Sequence, residues 1–466
     1  MRKKTTRTTV LTRVISFVLS IALVFSMLLA APSITVNAQT DKSTAIGFGI
    51  DVSRYQGDIN WAQVAASGVQ FAIIRVGSVK WGMDKKFIKN ITEANAVGIK
   101  CGVYIYSYAH SVPDVINEAN WVAQQIAPYT ISFPVAIDIE DDIQKVMSKE
   151  EQAAMADAFC AVIEAYGYYP IVYGSKSWFN NYMGEIHYDK WIAQYNSYCA
   201  RDDGAIWQNS STGQIPGIGT NVDTDYLYKD FSQYIIANGF INRKGYYYFY
   251  QNYKMVVNSF IPVNGVGIYY VDEYGRMITG MKQIGDGIFY FSQAGVMQVG
   301  LQAIGEKLYY FGTDGKMTFG AVNVGGKNYY FDPDGSMHFG WLLTNEGAFF
   351  YDADGSMAFG LKAIGDSFYY FNDKGIMTTG WVLAGENRYY FDPATGKLVT
   401  GLFAADGYLY YADPATGIMT KGFVTIGTDN YFFDLADGHM WADTQVVGNG
   451  VIYVIAKDGK VTIVPM

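Results

Sequence analysis

The chain has 466 residues, enough for about three domains at roughly 150 residues each. Its 39 Tyr and 28 Phe exclude wholesale disorder. Only 11 Pro, with no Gly at every third position, exclude a collagen-like chain. A net charge of −9 argues against nucleic acid as a partner.

In chain order, residues 2–13 come first, with Arg2, Lys3, Lys4, Arg7 and Arg13 and no acid. An apolar run follows over 14–31, and Val36 and Ala38 supply small residues. This is the layout of a secretory signal, with cleavage expected after Ala38 and a linker over 39–45. The apolar run also approaches the length of a membrane anchor, and under either reading the remainder lies outside the membrane. Removal of the five basic residues takes the net charge from −9 to −14.

Residues 46–232 alternate short apolar runs with amphipathic stretches. Strands are expected at 46–52, 69–76, 100–106, 134–139, 170–173, 191–195, 205–208 and 222–226. Helices are expected at 85–97, 113–126 and 148–166. That alternation implies a parallel sheet. Eight strands with short or missing later helices imply an α/β fold, an irregular TIM-like β/α barrel. Functional residues of such barrels collect at the C-terminal ends of strands. Asp51 ends the first strand, Asp138 and Glu140 end the fourth, and Asp223 and Asp225 fall in the last. Residues i and i+2 of a strand share a face, so Asp138 and Glu140 crowd each other. Like charges held close raise the pKa of one partner. A protonated acid beside a carboxylate is what glycosidic cleavage requires. An acidic-x-acidic pair arises readily by chance. What singles this one out is its place at the end of an apolar strand, with other acids ending other strands.

These acids sit in stretches that resemble glycoside hydrolase family 25, lysozymes that cut between N-acetylmuramic acid and N-acetylglucosamine. The matching segments are 49–57, 71–77, 102–106, 138–140, 191–195, Trp207-Gln208 and Val222-Asp223, in the family's order. The resemblance implies a flattened barrel with incomplete helices. It implies Glu140 as proton donor to the leaving oxygen. Asp138 would be the neighbouring acid, acting either as nucleophile or by orienting the substrate's 2-acetamido group. Asp51 and Asp223 match two further active-site carboxylates, and Tyr106 matches an aromatic near the cleaved sugar. Trp191 and Trp207 are either groove residues or barrel packing. Arg75 is a candidate charge partner for a carboxylate. Asp225 stands where many relatives have Asn.

Cys101, Cys160 and Cys199 allow at most one disulfide, and free buried thiols are expected. No Cys/His spacing fits zinc and no phosphate-cradling Gly loop is present. No metal, nucleotide or organic cofactor is expected.

The second half repeats. Gly275, Gly295, Gly315, Gly335, Gly355 and Gly375 are each followed two residues on by Met277, Met297, Met317, Met337, Met357 and Met377. The period then lengthens through Gly396, Gly417, Gly438 and Gly459, and residues 241–260 read as a degenerate first copy. Aromatic pairs such as Tyr309-Tyr310 precede each Gly. Asp-Gly between apolar runs signals a hairpin. A lone hairpin cannot bury its apolar face, so stacking is expected to build an all-β solenoid over 241–466. Most of the aromatic rows would form its core, and some would offer platforms to sugars.

The array resembles the cell-wall-binding repeats, which include choline-binding and glucan-binding types. In choline-binding repeats a Gly-Trp pair and a Trp before the Tyr-Tyr cage a quaternary ammonium by cation–π attraction. Here only Trp341 and Trp381 follow the repeat Gly, and Asn328, Ala348, Phe368 and Arg388 stand among the residues before the aromatic pair. The expected ligand is a glycan or wall polymer rather than choline. The combined expectation is a secreted, wall-associated muramidase acting on peptidoglycan. Its tail would raise local concentration on an insoluble substrate. The alternatives are a non-catalytic wall adhesin on an enzyme-like barrel, and a glycosidase of another amino-sugar polymer.

Overall fold

The computed structural model describes residues 42–466. The expected signal segment lies outside the described residues, and no helix among them is long and apolar enough to cross a membrane. The described chain divides into two compact units, one reaching Ile261 and including Tyr270–Met277, the other holding the rest of the array.

In the first unit the apolar runs become nine strands. They are β1 (Gly47–Val52), β2 (Phe71–Ser78), β3 (Gly82–Met83), β4 (Lys100–Tyr106), β5 (Val135–Asp138), β6 (Pro170–Ser175), β7 (Lys190–Ala193), β8 (Gly204–Gly213) and β9 (Val222–Leu227). The order β1-β9-β8-β7-β6-β5-β4-β2 closes through a β1–β2 pairing into an eight-stranded barrel, with β3 hanging on β2. Helices α1 (Trp61–Ala66), α2 (Phe87–Ala96), α3 (Val112–Ile126), α4 (Lys149–Ala165) and α5 (Lys176–Asn181) accompany the early strands. Among the described residues α5 has six residues, and the β7–β8 and β8–β9 connections carry no helix.

Local chemistry sets these elements. Asn60, Ser111 and Ser148 cap α1, α3 and α4 by accepting backbone N–H bonds, and Ser148 forms a full capping box with Glu151. Such caps satisfy donors that the first turn leaves unpaired. Strand alternation then sorts the core into two layers. Ala72, Ile74 and Val76 of β2 join the cluster beneath the helices, with Phe87, Ile91 and Val122. Phe71 and Ile73 join a second cluster with Phe133, Ala136, Ile171 and Trp191, the filled barrel interior. The interior is tight. A Cβ on Gly49 would lie 2.4 Å from the Phe71 ring, which is why the first strand carries glycine two residues before Asp51. Cys101, Cys160 and Cys199 are buried free thiols, and burial pushes Cys101 up to about 12.

The strand directions amend one expectation. β1, β2 and β4 to β8 run parallel around the barrel, but β9 pairs antiparallel with both β8 and β1. Asp223 therefore lies near the N-terminal end of its strand. It still reaches the rim, because the antiparallel register sets it opposite Asp51.

The first unit also takes in the hairpin β10 (Asn238–Arg243) and β11 (Tyr246–Gln251), extended by β12 (Lys254–Met255). Tyr250 is buried and donates its hydroxyl proton to the Gly167 carbonyl at 2.6 Å. Lys244 pairs with Glu164 at 2.8 Å, and Lys254 donates to the Ala127 carbonyl at 2.7 Å. The degenerate first copy thus makes a repeat-type hairpin that packs against the ends of α3 and α4.

In the second unit most repeats are two-stranded sheets, such as Gly320–Val324 with Lys327–Phe331, and two carry a third strand, Met377–Thr378 and Val461–Pro465. The hairpin turns at Gly325-Gly326, both at positive φ, and not at the Asp-Gly pair the motif suggested. Asp332–Gly335 instead forms the tight link after the second strand, with Gly335 N–H bonded to the Asp332 carbonyl at 2.8 Å. That link delivers Met337 to the preceding hairpin, where its N–H donates to the Leu308 carbonyl at 2.7 Å. The bond recurs from Met317 to Ile288 and from Met440 to Leu409, each at 2.7 Å. Gly335 has φ +81, and a Cβ there would lie 2.2 Å from the Met317 sulfur. The Gly and Met rows are therefore two halves of one contact between successive repeats. The third ring of each aromatic run, Phe291, Phe311, Phe331, Phe371, Phe391 and Phe433, is fully buried. Most members of the pair before it are only half-buried.

Candidate active site

Three strands bring acids to one rim of the barrel. β1 supplies Asp51, β5 supplies Asp138 with Glu140 just beyond it, and β9 supplies Asp223 with Asp225 one layer deeper. The register places Asp138 beside Tyr106 of β4 and Tyr173 of β6. Asp51, Asp138 and Asp225 are buried, whereas Glu140 and Asp223 are partly exposed.

Burial pushes the four Asp carboxyls up, and neighbouring negative charge adds to it at Asp51, Asp138 and Asp225. Burial is the main cause for Asp51, joined by the charges of Asp225, Asp223 and Asp138 and opposed by a bond from Gln208. For Asp138 burial comes first and the Glu140 charge second, with the Arg75 guanidinium opposing both. Burial also raises Asp223 and Asp225. A desolvated carboxyl beside a carboxylate favours holding a proton.

Asp51, Glu140 and Asp225 each have a definite partner. Gln208 of β8 donates from Nε2 to Asp51 Oδ2 at 2.6 Å, and its Oε1 accepts from Tyr173 at 2.9 Å and Tyr195 at 3.0 Å. This carboxamide ties three strand ends together. Glu140 Oε1 accepts the Ser175 N–H at 2.8 Å. Trp191 Nε1 donates to Asp225 Oδ1 at 2.7 Å. Asp138 Oδ1 and Asp225 Oδ2 are buried without a partner. An orphaned buried carboxyl oxygen is costly, and at Asp138 it leaves an acceptor or a proton donor free for substrate.

The other expected residues divide. Tyr106 is partly exposed and donates to Asp141 Oδ2 at 3.2 Å. Arg75 lies over its ring, 5.6 Å from the centroid, and makes no ion pair with a described carboxylate. Its influence on Asp138 is through space. Trp191 and Trp207 are 1% and 2% exposed, so neither presents a face to a sugar. Trp191 packs in the barrel interior against Tyr173 and Tyr104, and Trp207 donates to the Gln194 carbonyl at 2.8 Å. Both belong to the packing alternative. The exposed rings after strand ends are instead Tyr55, Trp81 and Tyr195. Asp141, the third acid of the Asp-Ile-Glu-Asp run, caps the turn at Asp142–Gln144.

Sequence reasoning assigned no role to Gln208, Tyr173 or Ser175. Tyr173 and Ser175 lie near the C-terminal end of β6, the same signal that marked Asp138, whereas Gln208 lies midway along β8. In the array, oxygens and a nitrogen of Asp434, Asp437 and His439 lie within 4.8 Å of one another. Asp434 Oδ1 there accepts the Ala436 and Asp437 N–H groups, as Asp392 and Asp413 do in their own turns. Turn formation accounts for the cluster.

The matches to known proteins follow this geometry. The model for glycosyl hydrolases family 25 matches residues 50–218. The uncharacterized protein YegX of Escherichia coli (strain K12) is 31% identical over 185 residues, 38% of this chain and 67% of YegX. The chain belongs to glycosyl hydrolase family 25. As a family 25 protein it is a glycoside hydrolase of the lysozyme type. Lysozyme M1 of Streptomyces globisporus is 26% identical over 193 residues, 38% of this chain and 65% of that protein. The choline-binding repeat model matches 318–360 and 358–403, and a cell wall binding repeat model matches 299–317. Among solved structures, the modular autolysin LytC of Streptococcus pneumoniae with a synthetic peptidoglycan ligand has 26% identity. It covers 39% of this chain and 46% of that one, with a TM-score of 0.36.

Proposed function

We propose that this family 25 enzyme cleaves the β-1,4 bond between N-acetylmuramic acid and N-acetylglucosamine in peptidoglycan. Its repeat array would hold it on wall polymer outside the cell. The observation that carries this reading is the Asp138–Glu140 pair. One carboxyl is buried, pushed up and left with a free oxygen, and the other is half-exposed and pinned by the Ser175 N–H. Glu140 serves as the acid that protonates the leaving oxygen. A bound glycan strand covers its exposed side and strips water from it, which favours the protonated acid the step needs. Asp138 then faces the sugar as a carboxylate and meets the positive charge that develops at the anomeric carbon. Asp51 and Asp223 add negative potential at the same rim. Gln208 fixes the orientation of Asp51, so that little reorganisation is needed as charge develops.

Turbidity clearing of purified Gram-positive walls by residues 39–466, compared with Glu140→Gln, tests the reading. New muramic acid reducing ends are expected from the wild type, with a loss of about a hundredfold or more in the variant. Wall binding by both proteins with cleavage by neither would refute it.

A further inference from the structure

Only two repeats of the array carry Trp after the repeat Gly, and the structure makes them unequal. Trp341 meets Phe350 of its own hairpin at 5.2 Å and Tyr369 of the next at 4.9 Å, ring centroid to centroid. Trp381 meets the equivalent rings, Tyr390 at 4.9 Å and Tyr410 at 4.7 Å, with Phe403 at 5.8 Å. The two clusters are the same inter-hairpin cleft built twice.

Their third ring differs, Phe371 at 5.8 Å from Trp341 and Phe403 at 5.8 Å from Trp381, and so does the position before the aromatic pair. Ala348 stands there in the hairpin of Trp341 and Arg388 in that of Trp381, each paired across the strands with Leu343 or Leu383. The Arg388 guanidinium carbon lies 3.9 Å from the Trp381 ring centroid. That is the shortest such approach among the described residues, and well inside the roughly 6 Å reach of a cation–π contact. Three bonds hold the arrangement. Arg388 Nη1 donates to the Asp437 carbonyl at 3.0 Å, the Arg388 carbonyl accepts the Met419 N–H at 2.9 Å, and Trp381 Nε1 donates to Asp406 Oδ2 at 2.8 Å. Among the described residues no Lys or Arg lies over Trp341.

We propose that Arg388 is a built-in ligand of the Trp381 cleft, whose guanidinium closes that site of the array to small external cations such as quaternary ammonium groups. The protein supplies the cation that an aromatic cleft of this shape attracts. An outside cation must displace a guanidinium held at high effective concentration. The array then presents its Trp clefts to the wall unequally, and one residue sets the difference. The inference concerns what the array admits, and it stands whether or not the barrel cuts the proposed bond.

Fluorine NMR of the full chain labelled with 5-fluorotryptophan tests it. The Trp381 resonance is identified by its loss in Trp381→Phe. Choline chloride is the probe, with sodium chloride at equal ionic strength as the control. In the wild type the Trp381 resonance is expected to stay in place. In Arg388→Ala it should move saturably, with a half-saturating concentration at least about tenfold below that of the wild type. Arg388→Gln keeps the side-chain stem without the charge and should behave as Arg388→Ala does, so a folding defect in one variant does not decide the matter. A saturable wild-type shift matching that of the variants overturns the proposal. So does an unmoved Trp381 resonance in a neutral variant that retains the wild-type circular dichroism spectrum.

Discussion

The barrel and the array bury aromatic rings to similar depth, yet they recruit them differently. Phe71, Phe133, Trp191 and Phe231 meet in the barrel interior from positions spread over 160 residues. In the array, Phe331 is buried between Met337, brought by its own turn link, and the Tyr310 ring of the preceding repeat. The barrel also buries Asp51, Asp138 and Asp225. The array keeps nearly all its acids at the surface, where Asp334 and Asp354 are paired with Lys307 and Lys327 of the preceding repeat. Non-local closure creates a desolvated interior that can hold reactive charge. Nearest-neighbour stacking yields a long surface built from many similar contacts. Chemistry and adhesion are thus divided along the line between the two kinds of core.

The sharpest break of this comparison is Asp138→Asn. It removes an acid from the rim and keeps the shape. Cleavage is expected to fall by about a hundredfold or more, while sedimentation of the protein with walls stays unchanged. Loss of wall binding together with cleavage would show that the two functions are not divided.

Tyr250→Ala comes next, at the repeat-type hairpin that packs on the barrel. Loss of a buried ring and of its bond to Gly167 should cost about 3 kcal/mol. The cost should appear in the transition that abolishes activity. If only the array's transition moves, the first hairpin belongs energetically with the repeats.

Gly335→Ala probes the array alone. A Cβ at φ +81 beside the Met317 thioether should cost about 2 kcal/mol. Calorimetry should show the array melting earlier and the barrel unmoved.

The smallest effect is expected from Asp225→Asn. Asn keeps the acceptor for Trp191 and cannot ionise. Because the Asp225 carboxyl is raised in the folded state, its stabilisation is complete below its unfolded pKa and is lost as pH rises through the folded value. The variant should match the wild type near pH 4. By pH 8 it should melt higher by about 2–4 °C. An equal shift at both pH values would mean that packing, not ionisation, is responsible.

The alternation of apolar runs and capped helices already determined the barrel, and the spacing of Gly and Met determined the repeats, because both patterns are written in neighbouring residues. Asp51, Asp138, Glu140 and Asp223 were legible as strand-end acids for the same reason. What the sequence left open depends on residues far apart in the chain. The antiparallel β9, the burial of Trp191 and Trp207, the Gln208 link between Asp51 and two tyrosines, and the contact of Arg388 with Trp381 all follow from which strands end up adjacent. The hairpin turn at Gly325-Gly326 was misplaced because Asp-Gly and Gly-Gly both favour tight turns, and only the pairing of strands chooses between them. Residue type set which groups could carry charge. Tertiary closure decided which of them lost water, and so which could hold a proton beside a carboxylate.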